Sequence, residues 1–307
     1  MSPPPTVVGI GEILWDLLPS GRQLGGAPAN FAYCSHLLGT RAIIASRVGD
    51  DNLGQEIRES VVKAGMTNKF LEIDTLHPTG TVHVELGAGG QPRFVIAYPA
   101  AWDFLEATEE WRDLAESADA VCFGSLAQRS ARARATILSF LECTRPEALR
   151  VFDVNLRQTF YSLEVIENSV ARASAVKLSH EELPILARLL GLDGSEAYAF
   201  CRQALERFEL ELVAITRGEK GSLLASPGGI DEHPGFHVRV RDAVGAGDAF
   251  TAGLVHERLR GGELEALNDR ANRMGAWVAS CPGAMPGMPE GGLERALAEL
   301  QLNTGRL

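Results

Sequence analysis

Runs of β-branched and apolar residues alternate along this chain with stretches whose apolar side chains recur every three or four positions. That alternation narrows the fold to a mainly parallel sheet between helices. Thr6 to Ile13, Arg41 to Val48, Asp119 to Phe123, Arg150 to Val154, Ala175 to Leu178 and Leu210 to Thr216 read as strands. Asn52 to Ala64 (closed by Gly65), Ser130 to Cys143 and the stripe Ala197, Phe200, Cys201, Ala204, Leu205, Phe208 read as helices. Two segments depart from the pattern. Leu14 to Leu24 and Thr79 to Trp102 lack covering helices, and Thr79 to Leu86 with Arg93 to Ala97 reads as a hairpin around Ala88-Gly89-Gly90. The prediction is a single α/β domain over 1–307 with small β insertions at about 14–24 and 79–102.

With 307 residues and 45% hydrophobic content the chain can bury a large core. A net charge of −11 without a basic run argues against nucleic acid or an anionic membrane as the main partner. The five cysteines are scattered among apolar residues, as expected of reduced core thiols. Met1 to Pro5 do not resemble a signal peptide, and no apolar run reaches the roughly 18 residues of a membrane span. A soluble, cytoplasmic protein is expected. The seven histidines show no metal spacing.

The chemistry concentrates in Arg241-Asp242-Ala243-Val244-Gly245-Ala246-Gly247-Asp248-Ala249-Phe250, a glycine-rich turn that opens a helix running to about Arg260. Gly245 and Gly247 let a ligand approach the main chain, and the first-turn N–H groups carry the positive end of the helix dipole, so a phosphate fits there. Asp248, a carboxylate within that turn, reads either as a helix-favouring cap or as a general base. Elsewhere, Glu12 and Asp16 follow the first strand, and Gly25-Gly26 opens a helix with Pro28 in its first turn. Asn30 lies off that helix's apolar stripe of Phe31, Cys34 and Leu38. Asn155 and Arg157 follow a strand, the end of an open parallel sheet where ligands bind.

The turn matches the Asp-Thr-x-Gly-Ala-Gly-Asp signature of the ribokinase-like (PfkB) sugar kinases except at Ala243, where that family usually has Thr. Gly-Gly-x-x-x-Asn with an upstream Asp is similar to the family's second element, and the resemblance runs from about Gly9 to Pro289. It implies Gly245, Ala246 and Gly247 as anion hole and Asp248 as base. It further implies Asp16, Gly25, Gly26 and Asn30 on sugar hydroxyls, and a lid formed by the insertions. Trp102 reads equally as a sugar platform or as lid packing. The Ser179-His180-Glu181-Glu182 segment resembles an Asn-x-x-Glu element that holds Mg²⁺ through water, with Ser179 replacing Asn, which implies Glu182 for that role; an ordinary first-turn glutamate is the alternative. Thr216, Gly218, Asn272 and Gly283 are implied on ATP, although a plain hairpin turn also accounts for 216–221. Asp242, with carbonyls near Ala279 and Gly283, is implied in a K⁺ site; pairing with Arg239 or Arg241 is the alternative. Gly-Glu-Ile-Leu-Trp-Asp, Gly-Gly-Ala-Pro-Ala-Asn-Phe-Ala-Tyr and Ala-Trp-Asp most resemble the fructokinase branch. The expected activity is therefore ATP- and Mg²⁺-dependent phosphorylation of a sugar, fructose first. Ribose, a keto-deoxy sugar acid, a nucleoside or a non-catalytic sensor remain as alternatives, and a homodimer through the lid is allowed.

Overall fold

The computed structural model describes residues 3–18, 21–86 and 92–302. In chain order, β1 (Thr6–Ile10) leads to a hairpin of β2 (Leu14–Leu18) and β3 (Gly21–Gly25), then α1 (Ala27–Leu37), β4 (Arg41–Gly49), α2 (Asn52–Lys63) and β5 (Leu71–Asp74). A second pair, β6 (Gly80–Leu86) and β7 (Pro92–Ile96), precedes α3 (Glu109–Ser117), β8 (Ala120–Gly124), α4 (Ala131–Glu142), β9 (Leu149–Asp153), α5 (Leu163–Val170) and β10 (Ala175–Ser179). There follow α6 (Leu183–Leu190), α7 (Ala197–Phe208), β11 (Leu212–Thr216), β12 (Ser222–Ser226), β13 (Gly229–His233) and β14 (Phe236–His237). The chain closes with α8 (Ala246–Leu259), α9 (Leu264–Ala279) and α10 (Leu293–Ala298).

Among the described residues nine strands form the main sheet, in the order β13-β12-β11-β10-β9-β8-β1-β4-β5. All neighbours from β5 to β11 pair parallel, while β12 and β13 add antiparallel to that edge. Successive strand residues serve opposite faces. Val8 and Ile10 enter a core with Phe123, Phe152, Ile137 and Phe200, whereas Val7 faces a second core with Phe31, Ala249, Leu254 and Met274. Strand order reverses between β1 and β8, which opens the crevice beyond their carboxyl ends.

A second sheet, β3-β2-β6-β7, stands off the main one as the sequence suggests; the Ala88-Gly89-Gly90 tip lies outside the described residues. The first strand stops at Ile10 instead of Ile13, because Gly11 (φ 146°) turns the chain into β2. Gly9 also serves an unexpected neighbour. A Cβ there would lie 2.0 Å from the carbonyl oxygen of Pro28, so the close approach it permits is that of α1 onto β1. The short helices α3, α5, α6 and α10 escape the periodicity reading, since six to nine residues hold barely two turns.

Candidate active site

The head of α8 is built on glycine. Gly245, its N-cap, has φ 78°, and a Cβ there would lie 2.5 Å from that of Ala284. Ala246, Gly247 and Asp248 form the first turn, whose N–H groups have no partner within the helix. Asp248 is half-buried and accepts a 2.8 Å hydrogen bond from Nδ2 of the buried Asn30, on α1. Burial pushes the Asp248 carboxyl up from its ordinary value, opposed by Lys177, the Asn30 bond and Arg157. A raised carboxyl with cations opposing the rise is the setting in which a general base works.

Beneath the cradle lies a group that sequence reading missed. Lys177, in the middle of β10, is buried, and its Nζ lies 3.1 and 3.2 Å from the two carboxylate oxygens of Asp153 at the end of β9. Thr251 Oγ1 donates to Asp153 Oδ2 at 3.2 Å, and a Cβ on Gly247 would sit 2.9 Å from the ammonium. Burial alone would lower the Lys177 pKa, but Asp153, Asp248 and Glu182 outweigh it and hold the group above its ordinary value. A cation therefore stands behind the glycine-built head of α8. The sequence did carry a signal: a lysine within the apolar run Ala-Val-Lys-Leu-Ser is out of place unless paired.

On the lid side, Asp16 on β2 reaches toward Gly25, where a Cβ would come within 2.5 Å of its Oδ2; the missing side chain makes room for the carboxylate. Gly26 (φ 108°) leads into α1, and a Cβ on it would strike the Glu12 carbonyl oxygen at 2.4 Å. Burial pushes Asp16 up to about 6, with Arg157 pulling it down and Asp242 raising it. Exposed Arg157 acts electrostatically on Glu12, Asp16 and Asp248 alike, lowering all three. Its loop is held in an unusual shape, with Asn155 at φ 41° and Gln158 at φ 50°, a backbone strain found at binding sites. Trp102 stands apart from this group. It is fully buried, the Arg129 guanidinium covers its ring at 3.9 Å, and a Cβ on Gly80 would lie 2.3 Å from its Nε1. Its ring thus packs into the main core beside Val8, Ile10 and Phe123.

On the other side of the α8 head opens a cavity of about 320 Å³. Thr216, Gly218 and Asn272 line it, together with Phe236, His237 and Val238, which sequence reading did not single out. Ala246 and Gly247 are among its lining residues, so the cavity reaches the head of α8. The 216–221 turn does join antiparallel β11 and β12, and it walls the cavity as well. Asn272 spends its Nδ2 on Ser222 Oγ (2.7 Å) and the Asn268 carbonyl oxygen (2.8 Å), which stiffens the wall. Gly283 is not among the lining residues; its N–H donates to Asp242 Oδ2 at 3.2 Å.

No cluster of three metal-binding side chains occurs among the described residues. Glu182 Oε1 accepts the Leu156 N–H at 2.6 Å and Oε2 the Ser179 N–H at 2.7 Å. Each oxygen keeps a second lone pair, which fits a contact to metal-bound water and not sole ligation of a bare ion. Asp242 accepts from Val244 N (3.0 Å) as well as Gly283 N, and among the described residues it forms no ion pair with Arg239 or Arg241.

The pfkB family carbohydrate kinase model matches residues 21–291. The chain is 30% identical to a fructokinase of Escherichia coli, covering 91% of this chain and 95% of that relative. A Vibrio cholerae fructokinase solved with fructose, ADP and a calcium ion superposes with a TM-score of 0.78 at 28% identity, covering 97% of this chain and 99% of the other. A double mutant of that enzyme holds fructose, ADP and a potassium ion, with a TM-score of 0.79, 28% identity and 98% and 100% coverage. An aminoimidazole riboside kinase of Salmonella enterica, complexed with its riboside and an ATP analogue, gives 0.76 at 25% identity over 95% and 99%. A carboxylate in the first turn of a glycine-built helix, a cavity that reaches the head of that helix and a small sheet in front therefore coincide with these matches, and the chain belongs to the pfkB family of carbohydrate kinases.

Proposed function

We propose that the protein transfers the γ-phosphate of ATP to a hydroxyl of fructose. The observation that carries this reading is the Asn30–Asp248 pair at the head of α8, which the cavity reaches at Ala246 and Gly247. ATP would lie along Thr216, Gly218 and Asn272 with its terminal phosphate on the 245–247 N–H groups. Lys177 from below and the helix dipole would balance the charge that spreads over the transferred group. Asp248 takes the proton of the attacking hydroxyl. Asp16, Asn30, Asn155 and Arg157, with Gly25 and Gly26, hold the sugar, while the small sheet excludes water. Glu182 would hold Mg²⁺ through water, and the ion would supply positive charge to the transferred phosphate. K⁺ beside Asp242 completes the cofactor set we assign.

Leu17 and Phe94 leave apolar side chains exposed on the small sheet, which a second copy of the chain would cover. The partners otherwise are ATP and sugar, in the reducing cytoplasm where the five unpaired thiols persist. Among the described residues no helix is long and apolar enough to cross a membrane.

Coupled measurement of ADP release across fructose, ribose, a 2-keto-3-deoxy sugar acid and nucleosides tests the assignment. Fructose should show the highest kcat/KM. Preference for a nucleoside would favour the second reading, which the similarity to the aminoimidazole riboside kinase supports. Binding without sugar-dependent ADP release would make the protein a sensor.

A further inference from the structure

Glu12 lies at the strand-order reversal, just past β1, and is only 2% exposed. Its carboxyl is drawn toward two backbone N–H groups, its own and that of Ala27, the first residue of α1. Nevertheless Oε2 has no hydrogen-bond partner. A second buried acceptor shares this condition. Oδ1 of Asn30, one turn along α1, is also without a partner, although Nδ2 of the same side chain is engaged by Asp248. Acceptors buried without donors are costly, and two of them beside the base call for a ligand that supplies O–H groups. An anionic group is excluded there by Asp248 and Glu12 themselves, whereas a polyol supplies neutral donors on adjacent carbons.

We propose that Glu12 is a further sugar-binding side chain, its Oε2 accepting a hydrogen bond from a hydroxyl adjacent to the one that Asp248 deprotonates. The inference rests on the sugar-kinase reading and adds to it a requirement for two neighbouring hydroxyls at the reacting end of the acceptor. A carboxylate retained only to start α1 needs one buried oxygen bonded, not a second one left bare. The electrostatics agree. Burial, the Glu12 N–H bond and Asp248, in that order, set the carboxyl at about 7, with burial and Asp248 raising it and the backbone bond and Arg157 lowering it. Buried Cys122 is the other titratable group that responds to Glu12. An ionised Glu12 therefore costs the empty protein stability, a cost that a purely structural residue has no reason to carry.

The test compares wild type with Glu12→Gln, which keeps the shape and removes the charge. The probes are the preferred sugar of the panel and its mono-deoxy analogues. Wild type should reject one analogue by about tenfold or more in kcat/KM, the effect of a lost hydrogen bond to a charged acceptor. In Glu12→Gln that rejection should disappear and the KM for the full sugar should rise, with the KM for ATP unchanged. The Tm without substrate at about pH 8 should hold or increase. Unchanged rejection of every analogue in an active variant overturns the proposal alone, as do equal rises in both KM values with a lower Tm. A wild type that releases ADP with no sugar overturns the kinase reading and the proposal with it.

Discussion

At the residue scale, each carboxylate around the α8 head is set by its neighbours. Burial raises the Asp248 carboxyl, and Lys177, the bond from Asn30 and Arg157 each oppose that rise. Replacing it with Asn preserves size and removes the proton acceptor, so kcat should fall by about 10²–10⁴ while calorimetry still finds ATP bound. Burial pushes the Asp16 carboxyl up to about 6, well above its ordinary 3.8. If its ionised form accepts sugar hydroxyls, kcat/KM for the sugar should fall as pH drops through about 6, and Asp16→Asn should flatten that limb. The stability sign is opposite. A raised carboxyl pKa favours the folded protein fully below 3.8, and that contribution is lost as pH rises to about 6. Asp16→Asn should therefore narrow the Tm difference between acidic and neutral pH, which a thermal melt series measures.

At the element scale, β9, β10 and α8 meet in one buried cluster: Asp153, Lys177 and Thr251 under Gly247. Removing one member of a buried ion pair strands the other. Lys177→Met should cost about 3–5 kcal/mol in urea unfolding. The double change Lys177→Met with Asp153→Leu should recover much of that stability and none of the lost kcat, since the cation behind the phosphate cradle is gone. Recovery of both would make the pair purely structural. Elements also account for what sequence reading reached. Asp51 accepts from Gly54 N to start α2, and Gly65 at φ 85° follows its end; both are local devices that hydrogen bonding and steric freedom announce. The pairing of β2 with β6, parallel and between residues sixty-six positions apart, has no such local sign.

At the scale of the whole molecule, Asp242 ties the 241–244 turn to the 281–285 segment through Val244 N and Gly283 N. If K⁺ sits there, replacing it with tetramethylammonium at constant ionic strength should lower turnover and raise the KM for ATP; an unchanged rate would assign Asp242 to the backbone link alone. The sequence by itself determined the strand and helix alternation, hence the parallel sheet, and it marked Gly245 to Asp248 because glycines beside a first-turn carboxylate are a local pattern. It also marked Asp16, Asn30, Thr216 and Gly218, whose motifs are contiguous. Only the tertiary structure buried Trp102 under a guanidinium, since that group comes from Arg129, on a different segment. It alone brought Lys177 under Gly247, seventy positions away, and left Glu12 Oε2 bare at the head of α1. Helix periodicity and turn chemistry act over a few residues and are written in order along the chain. Ion pairing and desolvation depend on which strand lies beside which, and that is settled when the sheet assembles.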